Sequence, residues 1–492
     1  MKLKIKKLSF LTGRPVCMID SETAKEMSLH VGHRVSISKG KKKIISIVDI
    51  VSGFLKAKEI AVSGEVSGKL GISPGDSVVV EVAERPHSIA LIKKKLKGEE
   101  LDKNEIKEII DNIANNSLTE VEVAFFVSAV HSKGMNLKET KHLTKAMVES
   151  GNVLKLSGKI ADKHSIGGVA GNRTTPLVIS ICTAAGLKIP KTSSRAITSA
   201  AGTADVIEII AKVDFSIREI KKIVNKTGGC FVWGGSLGLA PVDDKIIKIE
   251  RIVTIDSPAQ VLASILSKKI SVDSKYILID IPCGKSAKVT KENAKKLKSK
   301  FLKLGRSFNL KLDVVLTDGS EPIGNGVGPF LEIKDILKIL KREADRPLDL
   351  EEKSVFLSGK LLELAGKCKK GNGIQLAQEI LDSGKAFRKF EEIIKAQKGS
   401  LKNLDKIKKA RFGFDIEAKK KGKVVHLDNK LVNKLARAAG CPEDKAAGIY
   451  IHKKKGEVVG RGDKILSVYS VSKEKLKYAK RFYENNKKIV RV

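Results

Sequence analysis

The sequence predicts a multidomain α/β protein: an N-terminal small β-barrel, a helical domain, a central α/β domain with a mostly parallel sheet, and a C-terminal α+β domain. Three observations predict it. Residues 1–84 are rich in β-branched residues and carry an internal repeat. After Pro86 the texture turns helical as far as Gly151. From residue 152 short apolar strands alternate with helices and glycine-rich turns. The implied domains are 1–84, 85–151, 152–410 and 411–492, the first an assembly module and the third catalytic.

Within the first domain, Met27 to Ile37 (MSLHVGHRVSI) parallels Leu70 to Val80 (LGISPGDSVVV) in its apolar positions, turn glycine and following strand. Two such copies imply a pseudo-twofold barrel. In the helical domain, Asn104 before EIKEII and Thr119 before EVEVAFF stand as N-caps, and Gly134 and Gly151 mark helix ends. In the third domain, residues 275–281 and 311–318 read as buried strands, and 176–186 and 258–270 as helices. Beyond about residue 411, AGIYIHKKKGEVVGRGDKILSVYSV reads as hairpins, with turns at Lys453 to Gly456 and Gly460 to Asp463.

The 492 residues are 42% hydrophobic and 30% charged, enough to bury several cores, which excludes wholesale disorder and collagen-like repeats. The longest apolar run, Pro176 to Leu187, falls short of the ~18–20 residues of a membrane span. The opening MKLKIKKLSF lacks the apolar block of a secretory signal, so a soluble, cytoplasmic protein is expected. Six cysteines (Cys17, Cys182, Cys230, Cys283, Cys368 and Cys441) are scattered without a CxxC pair, which argues against a disulfide framework or zinc site.

Lys+Arg 94 against Asp+Glu 56 gives a formal net charge of +38. Nucleic-acid binding is one reading of that charge, and lysines solvating helix faces another. The few aromatic residues do not interleave with the basic runs as a base-stacking platform requires. A positive field that concentrates small phosphorylated anions fits better.

Three stretches carry chemistry. The first is KHSIGGVAGNRTT, from Lys163 to Thr175, just before a predicted helix. Its glycines let backbone N–H groups approach an anion, the helix N-terminus adds partial positive charge, and lysine, serine and threonine supply donors. It lacks the GxxxxGK[ST] of a P-loop, and a plain glycine-rich connector is the alternative. The second runs from Ser193 to Glu208 and crowds small and hydroxyl residues around Arg195. Such a strip lets a sugar and a phosphate lie close to the backbone; close helix packing is the other explanation. In the third, Asp256-Ser257-Pro258 precedes a helix on which Ser264 and Lys268, four apart, share a face. Asp256 is either a helix cap or, if burial raises its pKa, a general acid.

At these positions the sequence resembles the thymidine and pyrimidine-nucleoside phosphorylases. SSRAITSAAGTADVIE resembles their signature segment, DKHSIGGV their phosphate loop, and TIDSPAQVLASILSKK their base-binding helix. The resemblance runs from about residue 87 to the C-terminus, and the helical and α/β domains are shared by the more distant anthranilate phosphoribosyltransferases. An extension such as 1–84 is typical of the archaeal-type AMP phosphorylase branch, whose members form dimers that assemble further. Two departures favour that branch. The phosphate loop is two residues longer than GGVGD, adding Asn172 and Arg173 where a second phosphate needs donors. The family's Lys-x-Gly-x-Gly-Ala-Phe-Met stretch reads PCGKSAKV here, with Lys288 in place of the phenylalanine. A 5′-phosphate calls for that charge, whereas Lys285 reads equally well as a solvent-facing lysine.

The resemblance implies phosphorolysis: AMP plus inorganic phosphate gives adenine and ribose 1,5-bisphosphate, with CMP and UMP also accepted. Lys163, Ser165, Ser194 and Thr203 would hold inorganic phosphate. Gly168 and the strip Ser194, Arg195, Ala196, Ile197, Thr198 and Ser199 would position the sugar. Asp256 would protonate the leaving base, with His164 the runner-up and otherwise a base contact. Ser264, Lys268 and Lys288 would complete the nucleotide site, and Arg251 falls near the family's base-binding arginine. No metal or cofactor is called for, because lysine and backbone donors can do the electrostatic work. A thymidine or pyrimidine-nucleoside phosphorylase, a nucleic-acid-binding protein and an assembly module with an inactive site are the competing readings. The expected partners are nucleoside monophosphates, phosphate and further copies of the chain, with no membrane.

Overall fold

A computed structural model describes residues 1–8, 10–196, 199–253, 255 and 257–492, apart from the side chains of Ser236, Arg251 and Val253. It divides into two compact units, Met1–Ser150 with Pro241–Ser264, and Gly151–Ala240 with Ile265–Val492. Among the described residues, no helix is long and apolar enough to cross a membrane.

The first unit opens with six strands closed into a barrel, in the order Lys2–Ile5, Glu59–Val62, Val16–Asp20, Lys42–Val51, Arg34–Lys39, Ser77–Val82. The repeat is visible in the pairing. The shift that carries Met27 onto Leu70 carries Val16–Asp20 onto Glu59–Val62 and Arg34–Lys39 onto Ser77–Val82, to within one residue. Exchanging the two halves by the same spacing, forward for Lys4 and backward for Glu59, turns the parallel pair Lys4↔Glu59 into Ile47↔Val16. Ile19, Val35, Ile37, Ile60, Val66 and Val80 fill the interior.

The rest of this unit is chiefly a bundle of helices: Ser88–Leu96, Lys103–Ala114, Glu120–Lys133, Leu137–Glu149 and Pro241–Val253. Ile106, Ile110, Phe126, Val130, Leu143 and Ile246 meet in its core. Thr119 caps its helix through a reciprocal box with Glu122. The other expected cap is displaced by two residues: Asp102, not Asn104, accepts the Asn104 and Glu105 N–H groups, because its carboxylate stands three residues before Glu105, the spacing the box requires. Gly134 and Gly151 both mark helix ends, Gly134 as the C-cap of its helix and Gly151 as the residue after Ser150, the C-cap of the next. Arg34 joins barrel to bundle, donating to the Ser117 carbonyl at 2.9 Å and pairing with Glu122.

In the second unit, strands Ala161–Ser165, Tyr276–Cys283 and Lys311–Asp318 form a parallel sheet with the second in the middle. A second parallel pair, Ile189–Ser193 with Gly229–Trp233, is linked to it by the Ile160↔Lys188 bridge. Leu177, Ile181, Ile207, Leu278, Ile336 and Leu361 anchor the core that helices Thr174–Ala184, Pro329–Leu340 and Leu348–Leu364 share with these strands. Buried parallel strands are expected to be apolar throughout, and Tyr276–Cys283 is buried along nearly its whole length. Toward the C-terminus, Gly326–Val327, Gly448–Ile451, Lys464–Ser470 and Phe412–Glu417 form an antiparallel sheet. Helix Asn429–Ala438 belongs to this region, its Val432, Leu435 and Ala436 buried in the core beside Ile449 and Val468.

Candidate functional site

Parallel strands present ligands at their carboxyl ends. Here three such ends come together: Ser165 and Cys283 close two adjacent strands, and the loop after Ser193 leaves a third. Each continues into a loop singled out by sequence.

The first loop, the one that resembles a phosphate loop, leads from Ser165 into helix Thr174–Ala184. Gly167, Gly168 and Gly171 have φ of 84°, 94° and 68°, a backbone path that L side chains resist. Lys163 lies beneath it, 1% exposed, and its Nζ donates to Thr174 Oγ1 at 2.6 Å. Burial, with the positive charges of Lys353, Lys191 and Arg173, overrides the attraction of Asp280 and pulls the Lys163 ammonium down to about 7. An anion seated above it would restore the charge. Asn172 donates to Ser165 Oγ at 3.4 Å.

Arg173 does not serve the loop as the sequence suggested. Its guanidinium is buried and used up inside the protein: Nε pairs with Glu332 at 2.5 Å, Nη1 donates to Thr203 Oγ1 at 3.1 Å, and Nη2 to the Ala201 carbonyl at 2.7 Å. The reason is that Glu332 is itself 1% exposed and needs a buried counter-charge.

The second loop is pinned by Asp205, whose Oδ2 accepts from the N–H groups of Ala196 at 2.7 Å and Gly202 at 2.8 Å. Gly202 lies so close to the Ser194 carbonyl that a Cβ would stand 2.4 Å from it, so the small residue is required by close approach. Ser194 is exposed; Ser199 donates to the Ala201 carbonyl at 2.6 Å. The Arg195 guanidinium is taken up by Glu208 at 2.6 and 2.8 Å, lies 3.3 Å from Asp205, and stacks over Trp233. Ile197, Thr198, Asp256 and the Arg251 side chain lie outside the described residues.

The third loop, Gly284 to Val289, brings Lys288 against Gly168, half-buried, while Lys285 is exposed. Ser264 and Lys268 are both half-buried on helix Pro258–Ser271, between buried Ala263, Ser267 and Lys269. His164 is held well below the ordinary histidine range by burial and by the charges of Lys269, Lys191, Lys268 and Lys163. Its imidazole is therefore neutral at physiological pH.

Several residues beyond the motifs build this site. Asp162 is fully buried, and although burial alone would raise it, Lys191 at 3.0 Å and Lys269 at 2.5 Å hold it ionised. Lys191 also donates to the Lys163 carbonyl at 2.9 Å, so the ion cluster fixes the strand that carries Lys163 and His164. From far along the chain, Asn429 accepts from the Ala170 N–H at 3.0 Å, and Asn433 from the Ala200 N–H at 2.9 Å. The only sequence signal for the cluster was Lys269 beside Lys268; the asparagines left none.

Comparison with known proteins places this geometry. Residues 89–151 match the helical bundle domain of a glycosyl transferase family, 157–387 the α/β domain of that family, and 423–490 the pyrimidine nucleoside phosphorylase C-terminal domain. An anthranilate phosphoribosyltransferase from Thermus thermophilus shares the fold, with a TM-score of 0.51 at 19% identity over 63% of this chain and 99% of that one. The class is thus a glycosyl transferase of the nucleoside-phosphorylase type. Similarity extends further with an AMP phosphorylase of Thermococcus kodakarensis, 44% identical over 97% of this chain and 95% of its own, and with one of Methanocaldococcus jannaschii, 42% identical over 94% and 92%. The chain belongs to the AMP phosphorylase family.

Proposed function

We propose that this protein catalyses the phosphorolysis of nucleoside 5′-monophosphates, converting AMP and inorganic phosphate to adenine and ribose 1,5-bisphosphate, and acting also on CMP and UMP. The observation that carries this reading is the packing of the Lys288 loop directly on Gly168 of the phosphate loop, which sets a second cationic side chain beside an anion cradle. Near full-length similarity to curated AMP phosphorylases supports it.

Inorganic phosphate attacks C1′ of the ribose as the C–N bond to the base breaks. Held by Lys163, Ser165, Ser194 and Thr203, the phosphate meets C1′ without the entropic cost of a bimolecular encounter. Thr203 suits this role because its oxygen accepts from Arg173, so its own proton is left for another acceptor. Gly168 and the strip from Ser194 to Ser199 let the sugar approach the backbone. Asp256 supplies the proton the leaving base takes up. A neutral His164 lacks the acidic imidazolium proton but keeps one ring N–H, and suits a hydrogen bond to the base, together with Lys268 and Ser264. Lys288 receives the 5′-phosphate. Phosphate is a co-substrate, and the scheme calls on no metal or cofactor.

We place the enzyme in the cytoplasm as a homodimer or higher homo-oligomer, with residues 1–84 serving assembly. Phosphate-dependent base release from AMP, adenosine, CMP and thymidine, measured side by side, tests the activity. Adenine released from AMP far faster than from adenosine is expected; turnover of thymidine with AMP untouched would return the chain to the nucleoside phosphorylases.

A further inference from the structure

Helix Asn429–Ala438 carries two asparagines one turn apart, Asn429 and Asn433, at 0% and 3% exposure. Neither belongs to a substrate loop, yet between them they hold all three. Asn429 Oδ1 accepts from the Ala170 N–H in the phosphate loop at 3.0 Å. Its Nδ2 donates to the Gly319 carbonyl at 2.7 Å and to Ser286 Oγ at 3.3 Å, and its own N–H also donates to Ser286 Oγ. Ser286 lies two residues before Lys288 and donates in turn to the Ser320 carbonyl. Asn433 Oδ1 accepts from the Ala200 N–H in the small-residue loop at 2.9 Å, while its Nδ2 donates back to the Asn429 carbonyl at 3.0 Å.

An amide is the side chain that can do this without a buried charge. It accepts on one side and donates on the other, so one residue can bridge an N–H of one loop and a carbonyl of another. Buried and fully paired, such a bridge fixes both loops, because breaking either half strands a polar group away from water. Ala170 and Ala200 are 0% exposed and pack in the same core as Val432, Leu435 and Ala436, so the two loops rest on this helix by apolar contact as well.

We infer that Asn429 and Asn433 are positioning residues that set the spacing of the inorganic-phosphate loop, the sugar loop and the Lys288 loop, and that Asn429 in particular couples the two phosphate subsites and so enforces the preference for a nucleotide over a nucleoside. This rests on the phosphorolysis reading above. It gives the C-terminal region a share in specificity although neither asparagine is placed to touch substrate.

The test is steady-state kinetics of Asn429→Asp and Asn433→Ala with AMP, adenosine and phosphate varied separately, alongside melting temperatures. Asn429→Asp keeps the acceptor for Ala170 but loses both side-chain donors toward Gly319 and Ser286. It is expected to raise KM for AMP about tenfold, to raise KM for phosphate less, and to narrow the AMP-to-adenosine preference. Asn433→Ala, which frees only the Ala200 loop, should lower kcat/KM for AMP and adenosine by the same factor. Lys434→Ala, on the exposed side of the same helix, should change nothing. An Asn429→Asp enzyme that melts near the wild type with both KM values and the preference unchanged, or with only kcat lowered equally for all substrates, overturns the inference. If that variant does not fold, Ser286→Ala, which breaks the link from Asn429 to the Lys288 loop and leaves its Gly319 bond in place, must shift the AMP KM and the AMP-to-adenosine preference in the same direction. Absence of phosphorolysis in the wild type would sink the functional reading itself, a separate result.

Discussion

A Cβ built on Gly168 would stand 2.8 Å from Cβ of Lys288 and 3.0 Å from its backbone nitrogen. The phosphate loop and the loop carrying the proposed 5′-phosphate ligand are therefore in backbone contact, and at φ 94° Gly168 holds a conformation that costs an L residue on the order of 1–3 kcal/mol. Gly168→Ala incurs that strain and also forces the two loops apart. The expected outcome is a kcat/KM for AMP reduced about 100-fold, with KM raised for phosphate and AMP together. Initial-rate measurements with each substrate varied would show it; a rise in only one KM would mean that the loops move independently.

Lys288 and Lys285 sit three apart in one loop but in different surroundings, half-buried and exposed. A charge-assisted hydrogen bond to phosphate is worth ~1.5–3 kcal/mol, or about 10–100-fold. Lys288→Ala should reduce kcat/KM for AMP by that factor and leave adenosine, which has no 5′-phosphate, where it was. Lys285→Ala should leave both unchanged. Equal losses on AMP and adenosine would show that Lys288 serves the sugar or the fold.

That contrast marks what the sequence could and could not reveal. The charge at Lys288 was legible because it replaces an aromatic residue in a resembling pattern, and the strand expected at 275–281 was legible because a buried parallel strand is nearly continuously apolar. Residues 311–318 do form a strand, but not the buried one expected: it lies at the sheet edge with only Val314 fully buried. The barrel's two halves were legible through their repeat. The fate of Arg173 was not, since nothing local announces that Glu332 will be buried beside it. Nor was the Asn429 bridge, whose partner Ala170 is distant in sequence, so it leaves no periodicity or motif. Local pattern reports which backbone an element adopts; contacts between distant loops depend on tertiary packing that a short window does not contain.

Lys163 gives a pH signature. With its pKa drawn down to about 7 by burial, the free enzyme loses the ammonium as pH climbs past that value, and with it the grip on an anion. Phosphate itself titrates in this range, so sulfate, which stays a dianion, is the cleaner probe. Its inhibition constant against phosphate should be flat below about pH 7 and weaken up to about tenfold per pH unit above it. The same shift makes the folded protein bind fewer protons than the unfolded chain between about 7 and the ordinary lysine value, so this group favours folding more as pH rises across that window. A sulfate inhibition constant unchanged from about pH 6.5 to about pH 8.5, a range spanning that value, would remove Lys163 from the anion site.

Arg173 and Glu332 offer the last prediction, one that separates stability from catalysis. The pair is buried, at 8% and 1% exposure, and Glu332 also accepts from the Gly328 N–H at 3.0 Å. Burial pushes the Glu332 carboxyl up while Arg173 holds it down, so removing the guanidinium leaves a carboxyl that must either stay charged without a partner or take up a proton. Arg173→Ala should therefore cost about 3–5 kcal/mol of stability. Replacing both residues with apolar ones, Arg173→Met with Glu332→Leu, should recover much of that loss, because no charge is stranded. Catalysis should not recover with it, since Thr203 and the Ala201 carbonyl lose their donor in both variants. Thermal melts would therefore rank the double variant above the single, while KM for phosphate stays raised in both. A double variant with wild-type KM for phosphate would show that Thr203 needs no guanidinium behind it.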